Sequence, residues 1–404
     1  MKSTSTRGRL TKGLLLAISA SCLTASACTT SSKIADAGSP NPAGFLVWSP
    51  SEQVEGYRNI EKSFPVKEVK AGGAVRALPV AKVPINPVME IDGRTMNADE
   101  YMVANRVAGL LVIQDGQIVL EKYNLGQRPQ DRWTSFSVGK SVTSTLLGAA
   151  IADGYIQGVS DQVVKYIPEL KGTAYDGVTI QQVLQMRSGV AWNEDYEDPN
   201  SDVGRLVTSM ALNRGAGLVD TMRNLPRAAA PGTAYLYNTG ESNMIGVLVT
   251  RATGKGLAQY LSEKIWKPYG MERDAIWITD GGVEVGGCCI SMTLKDYGRF
   301  AMFVLNDGQI DGRSVLPDGW MRDATKSYSP KVFGEVGYGY QWWPHSDGSY
   351  EAIGIFGQSV YIDPKERLVI VQSSAWPRAS WDEGYSRQAR FVSAVKGAAA
   401  SRVP

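Results

Sequence analysis

Short β-type runs near residue 110 and again beyond residue 335, with helical periods between them, most constrain how this chain folds. Val107–Ile113 and Ile118–Tyr123 flank Asp115-Gly116, a dipeptide that suits a two-residue hairpin turn. Tyr338–Trp343, Tyr350–Ile355, Gln358–Ile362 and Leu368–Gln372 are short runs separated by turn residues, the pattern of an antiparallel sheet. From about 155 to 275 the periods are helical and broken by Gly and Pro, as in Thr179–Met186 and Leu257–Trp266, and a final helix is expected over 380–399. The expected class is α/β (α+β): an antiparallel sheet flanked by helices, with a mainly helical domain inserted at about 155–275 and a site in the crevice between them.

The 404 residues suffice for one large or two medium domains. Four cations, Lys2, Arg7, Arg9 and Lys12, precede the apolar run Leu14–Ala25, which is shorter than the ~18 residues of a membrane span. Residues 1–27 therefore read as a secretory signal. Without them the net charge changes from +2 to −2, and nothing points to a nucleic-acid partner. The stretch ending at Cys28, followed by Thr29–Lys33, resembles a bacterial lipoprotein cleavage site with Cys28 as the lipidated residue. The expected location is the bacterial cell envelope, lipid-anchored at Cys28 or otherwise free in the periplasm or secreted. Residues 28–45 read as a flexible tether and 46–96, with Trp48, Tyr57 and Phe64, as an extension packed on the main body. Ordered structure proper is expected from 97 to 404. Cys288 and Cys289 are adjacent, and a bridge between neighbours is sterically demanding, so no disulfide is expected. No Cys/His cluster suggests a metal, and no cofactor is implied.

Ser137-Val-Gly-Lys140 opens an apolar run of helical type that reaches Gly154, which places a hydroxyl and an amine one turn apart at a helix N-terminus. The chain has a single histidine, so a Ser-His-Asp triad would have to use His345, which lies in a strand end running into a turn and reads as a surface or packing residue. A lysine base is the economical alternative: in a buried helix its pKa falls and neutral amine becomes available. The spacing alone is weak, because Ser393-Ala-Val-Lys396 repeats it in the expected C-terminal helix. The plain reading of the first motif is a capped core helix with a snorkelling lysine.

Tyr237, on an extended piece after Pro231-Gly232 and before the apolar run Met244–Val249, can point into the crevice as base or proton relay, or simply pack under a turn. Gly354 and Gly357 would let a substrate approach a strand edge, where a backbone N–H beside that of Ser137 makes a two-donor oxyanion hole. The alternative is an ordinary glycine-bearing edge strand.

Ser137-x-x-Lys140, Tyr237-Asn238-Thr239 after a Pro-Gly turn, and a glycine strand near 354 together resemble the motif order of class C β-lactamases and related penicillin-recognising serine hydrolases. Thr239 stands in the place of an asparagine, and the third signature, Lys-Thr-Gly, is absent, with Ala352 in the lysine place. With Asn193–Pro199 and Ser373–Pro377, the pattern is similar to the 6-aminohexanoate-dimer hydrolases, the nylon-oligomer branch of that superfamily. The resemblance implies a β-lactamase/penicillin-binding transpeptidase-like fold. It implies Ser137 as nucleophile, Lys140 and Tyr237 as base and proton relay, the N–H groups of Ser137 and Ile355 beside Gly354 as oxyanion hole, and Tyr196 closing over the substrate amide.

Without a cation at 352, uncharged small esters or linear amides are expected to be better substrates than β-lactams. A β-lactamase or D,D-peptidase is the competing enzyme reading. An envelope-tethered binding or scaffold protein without chemistry is the competing reading of another class. Oligomeric state is left open by the sequence.

Overall fold

The computed structural model describes residues 39–215 and 217–402, so the expected signal, Cys28 and most of the tether lie outside the described residues. The hairpin forms as read: β1 (Val107–Gln114) and β2 (Gln117–Tyr123) are antiparallel, and Asp115 and Gly116 both take positive φ, 50° and 76°, as a type I′ turn requires. Four C-terminal strands complete the main sheet: β3 (Trp343–Pro344), β4 (Tyr350–Gly354), β5 (Gln358–Asp363) and β6 (Leu368–Ser374). The order is β3-β4-β5-β6-β1-β2, all antiparallel, so the Asp115-Gly116 hairpin pairs with the last strand and segments far apart in the chain close one sheet.

Alternation along the strands divides the side chains between two cores. Leu111, Ile113, Val369 and Val371 face the largest core, shared with α1 (Val138–Ala152), α2 (Thr239–Thr253) and α3 (Leu294–Leu305). Leu110, Val112 and Ile370 face the opposite core, with Phe391 and Val395 of α4 (Asp382–Ala400). The 155–275 stretch carries short helices and turns around α2, ending at Lys267–Tyr269, as the broken helical periods suggested.

Two expectations need correction. The chain is already structured at Pro42–Val47, a 3₁₀ turn with Phe45 buried, so what is described of the tether is not a tether, and ordered structure does not wait for residue 97. The physical reason is aromatic anchoring. Phe45 stacks on Phe136 with ring centroids 5.0 Å apart, and Tyr57 meets Phe136 edge-on at 5.0 Å. Val66–Val69 also pairs with Ala275–Asp280 in a second small sheet, so this segment contributes a strand rather than only a covering. Second, Tyr338–Trp343 is not one strand: pairing stops at Tyr338 and resumes at Trp343. Gln341 between them has φ 63° and is buried, its side-chain amide donating to the Leu184 carbonyl at 3.0 Å.

Candidate active site

Every residue from Val138 to Ala150 of α1 is buried, including its polar ones. Their hydroxyls bind neighbouring loops: Thr143 Oγ1 donates to the Gly286 carbonyl at 2.7 Å, and Ser141 and Ser144 donate to the Gln341 and Tyr340 carbonyls. The helix is thereby fixed from several sides. Ser137, its N-cap residue, stays half-buried, and the residue before it, Phe136, holds φ 44° in the left-handed region. That conformation is costly for a non-glycine residue, and the stack of Phe45, Tyr57 and Phe356 around the Phe136 ring maintains it.

Lys140 is 2% exposed, and its amine lies 2.9 Å from Ser137 Oγ, 3.0 Å from Thr239 Oγ1 and 2.7 Å from the Gly287 carbonyl oxygen. Burial pushes its pKa down to about 8 from the ordinary 10.5, against the opposing charge of Glu194. Neutral amine is therefore abundant near pH 8. A neutral amine has two protons and one lone pair, so the directions of its two N–H bonds decide where the lone pair points. The Gly287 carbonyl can only accept, so it takes one. Thr239 takes the other because its own hydroxyl proton goes to Glu194 Oε1, in a close contact. What remains is the lone pair, facing Ser137.

Glu194 was not among the residues singled out from sequence. Besides Thr239 Oγ1, its carboxylate accepts the Thr239 backbone N–H at 3.0 Å, the Tyr196 hydroxyl at 2.7 Å and the Trp192 indole N–H. It lies at the N-terminal end of α2, where negative charge is favoured. The arrangement gives a physical reason for threonine in the asparagine place. An amide oxygen can only accept from the lysine, whereas a hydroxyl can also donate, and Glu194 removes that ambiguity.

The structure brings Tyr237 to the same point. Lys140 Nζ lies 5.1 Å from the centroid of its ring, which stacks on Trp343 at 5.8 Å. Burial, then the Glu194 charge, hold the phenol well above its ordinary pKa of 10, with the Ser137 hydroxyl working the other way. Tyr237 thus keeps its proton near neutrality, which suits a relay and not a phenolate base. Tyr196, expected to close over a substrate, is half-buried and anchored by its hydroxyl to Glu194.

The opposite wall is the end of β4. A Cβ at Gly354 would lie 2.6 Å from the Ser135 carbonyl oxygen and 3.1 Å from Ser137 N, so only glycine lets the strand lie against the serine turn. Ile355 follows in a turn where Phe356 and Gly357 hold φ 60° and 84°. Gln358 clamps this turn, its amide donating to the carbonyls of Phe356 at 3.1 Å and Ser374 at 2.7 Å. Ala352 is 1% exposed and supplies no charge. His345 contacts Glu351 at 3.0 Å and the Tyr361 ring, on the side of the sheet that carries α4. Cys288 and Cys289 are bonded to each other, contrary to expectation; Cys289 takes the left-handed φ of 70° in this pair. Among the described residues no group of three or more His, Cys, Asp or Glu side chains is placed to hold a metal ion.

A serine and a desolvated lysine at the start of a buried helix, a tyrosine over the lysine and a glycine strand opposite match a known architecture. The Beta-lactamase family model matches residues 97–391. The chain belongs to this family of serine hydrolases. It is 30% identical over 313 residues to the 6-aminohexanoate-dimer hydrolase of Paenarthrobacter ureafaciens, a match covering 73% of this chain and 80% of that protein. A solved structure of a candidate 6-aminohexanoate-dimer hydrolase from Bacillus anthracis superposes with a TM-score of 0.76 at 26% identity, covering 85% of this chain and 93% of that one. A family VIII carboxylesterase shares the fold, with a TM-score of 0.55 at 16% identity over 74% of this chain and 96% of the other. The fold and the relationship to the nylon-oligomer branch, both read from the motifs, are thus shown.

Proposed function

We propose that this β-lactamase-family hydrolase cleaves small esters and linear amides, of the 6-aminohexanoate-oligomer and short-chain ester kinds, through an acyl-enzyme on Ser137. The observation that carries the reading is the Lys140 amine, with its two N–H groups committed to Thr239 and Gly287 and its lone pair left for the Ser137 hydroxyl 2.9 Å away. In this reading Lys140 takes the serine proton as Oγ attacks the carbonyl carbon. Tyr237, which keeps its own proton, passes one to the departing amine or alkoxide and recovers one from Lys140. The N–H groups of Ser137 and Ile355 receive the oxyanion, and water then releases the acid product. Tyr196, tied to Glu194, closes over the acyl group.

The substrate class is favoured by charge. Ala352 offers no cation to a carboxylate, and after burial the Glu194 charge is the next influence raising the pKa of both Tyr196 and Tyr237. A β-lactam or peptidoglycan carboxylate finds little to hold it there. We further propose export to the cell envelope with a lipid anchor at Cys28. A bridged Cys288–Cys289 pair, which belongs in an oxidising compartment, supports the export.

The test is to assay mature protein and its Ser137→Ala variant on p-nitrophenyl acetate, a 6-aminohexanoate dimer and nitrocefin. Ser137-dependent release from the ester or the amide, with little from nitrocefin, is expected. Nitrocefin turnover comparable with the ester would return the β-lactamase reading, and failure of a fluorophosphonate probe to label Ser137 would favour a scaffold without chemistry. Membrane partitioning that is unchanged in a Cys28→Ser variant would rule out the anchor.

A further inference from the structure

The Gly287 carbonyl that accepts from the Lys140 amine belongs to a loop held from several sides. Gly286 O accepts from Thr143 of α1 at 2.7 Å, and Gly287 N donates to Asn243 Oδ1 of α2 at 2.5 Å. Cys288 O accepts from the Trp277 indole at 3.0 Å, while Cys289 donates from N to the Phe136 carbonyl at 3.3 Å and accepts at O from Ile278 N at 3.1 Å. A Cβ at Gly286 would meet Ser242 O at 2.8 Å, and one at Gly287 would meet Thr239 O at 2.7 Å. The loop is therefore wedged between the helix that carries Lys140 and the helix that carries Thr239.

Directly after the glycine that holds the amine comes the Cys288–Cys289 bridge. Cys289 is fully buried with φ 70°, a left-handed conformation that an unbridged L-residue leaves readily, and its N–H is bonded to the residue before Ser137. Cys288 is half-buried, the more exposed residue of the pair. The ring encloses the 288–289 peptide unit, whose N–H is fixed to the serine turn, and the unit before it, attached at Cys288, carries the carbonyl that orients the lysine.

We propose that the Cys288–Cys289 bridge is a positioning element for Lys140: closed, it holds the Gly287 carbonyl on the amine, and opened by a dithiol reductant, it releases that carbonyl and lowers activity reversibly. The inference rests on the reading of Lys140 as general base. Opening is a two-electron exchange: dithiothreitol supplies two electrons and two protons, the S–S bond breaks to give two protein thiols, and the reductant closes into its cyclic disulfide. Water reaching the loosened amine relieves the burial that holds its pKa down, so the acid limb of the rate profile moves to higher pH.

The experiment measures kcat, KM and the pH profile on p-nitrophenyl acetate for protein as isolated, after reduction and removal of dithiothreitol, after reoxidation with diamide, and for a Cys288→Ser/Cys289→Ser double variant. Circular dichroism checks the fold of each, and Ser137→Ala is run alongside. Expected is a fall in kcat on the order of tenfold with KM nearly unchanged, an acid limb shifted upward, and recovery on reoxidation. Two free thiols in the protein as isolated, an unchanged kcat and profile in both reduced protein and double variant, or a loss not regained on reoxidation would overturn the proposal. If Ser137→Ala is inactive while reduction changes nothing, only this inference fails. Full activity in Ser137→Ala would instead remove the hydrolytic reading on which it rests.

Discussion

Ser137–Lys140 and Ser393–Lys396 share one spacing, and both lie in helices of the same chain. Their environments give opposite chemistry. Lys140 is enclosed among neutral oxygens, which lowers its pKa to about 8. Lys396 is half-buried between Asp347 at 2.9 Å and the buried Asp363 of β5 at 2.8 Å, where hydrogen bonds to those carboxylates outweigh partial burial and raise its pKa. Ser137 caps a helix and faces an amine, while Ser393 donates back to the Ala389 carbonyl one turn earlier, as exposed helical serines do. A hydroxyl and an amine one turn apart become a nucleophile–base pair only where water is excluded and the amine has no anion of its own.

The hardest test of this contrast is serine removal. Ser137→Ala should reduce kcat by about 10⁴-fold or more, whereas Ser393→Ala should leave it within about twofold; equal effects would end the distinction. Next in size, Lys140→Ala should cost about 10³-fold on p-nitrophenyl acetate, while Lys396→Ala leaves turnover unchanged. The wild-type profile should show the matching limb. Because the base acts when neutral and its pKa is about 8, kcat/KM should rise with pH toward a plateau above 8, and a flat profile down to about pH 5 would exclude lysine as base.

A finer comparison is Glu194→Gln. Its charge raises the pKa of Lys140, so the variant should move the acid limb to lower pH, with plateau kcat reduced about three- to tenfold as Thr239 loses its fixed orientation. A limb that stays in place would detach Glu194 from the lysine. The last effect is thermodynamic: Lys396→Ala should destabilise the fold by about 1 kcal/mol in urea unfolding, since the Asp347 pair is screened by solvent while the buried Asp363 loses its cation.

Much of the site was legible because it is local in sequence. Ser137 and Lys140 fall on one helix turn, and Tyr237 and Thr239 on one short stretch, so spacing and flanking residues suffice to mark them. Glu194 lies within the Asn193–Pro199 motif, yet nothing in that segment marks its carboxylate as functional until α2 brings Thr239 against it. Gln358 was missed for a similar reason: a glutamine in a strand looks ordinary until its amide is seen clamping the turn after Ile355. The early aromatic residues misled in the other direction. Phe45 follows a Pro/Gly-rich stretch that reads as tether, and only its stack on Phe136 makes it part of the support beneath Ser137.

By itself the sequence determined the antiparallel sheet, the hairpin at Asp115-Gly116, the buried helix after Ser137 and the family these motifs belong to, since alternation, turn chemistry and motif spacing act over a few residues. Tertiary structure alone decided which lysine is stripped of water beside a serine, which carboxylate holds its Thr239 partner and that two neighbouring cysteines are joined. The first two depend on the loss of water around a group and on partners more than forty residues away along the chain, and the third on the backbone conformation that brings two adjacent sulfurs together.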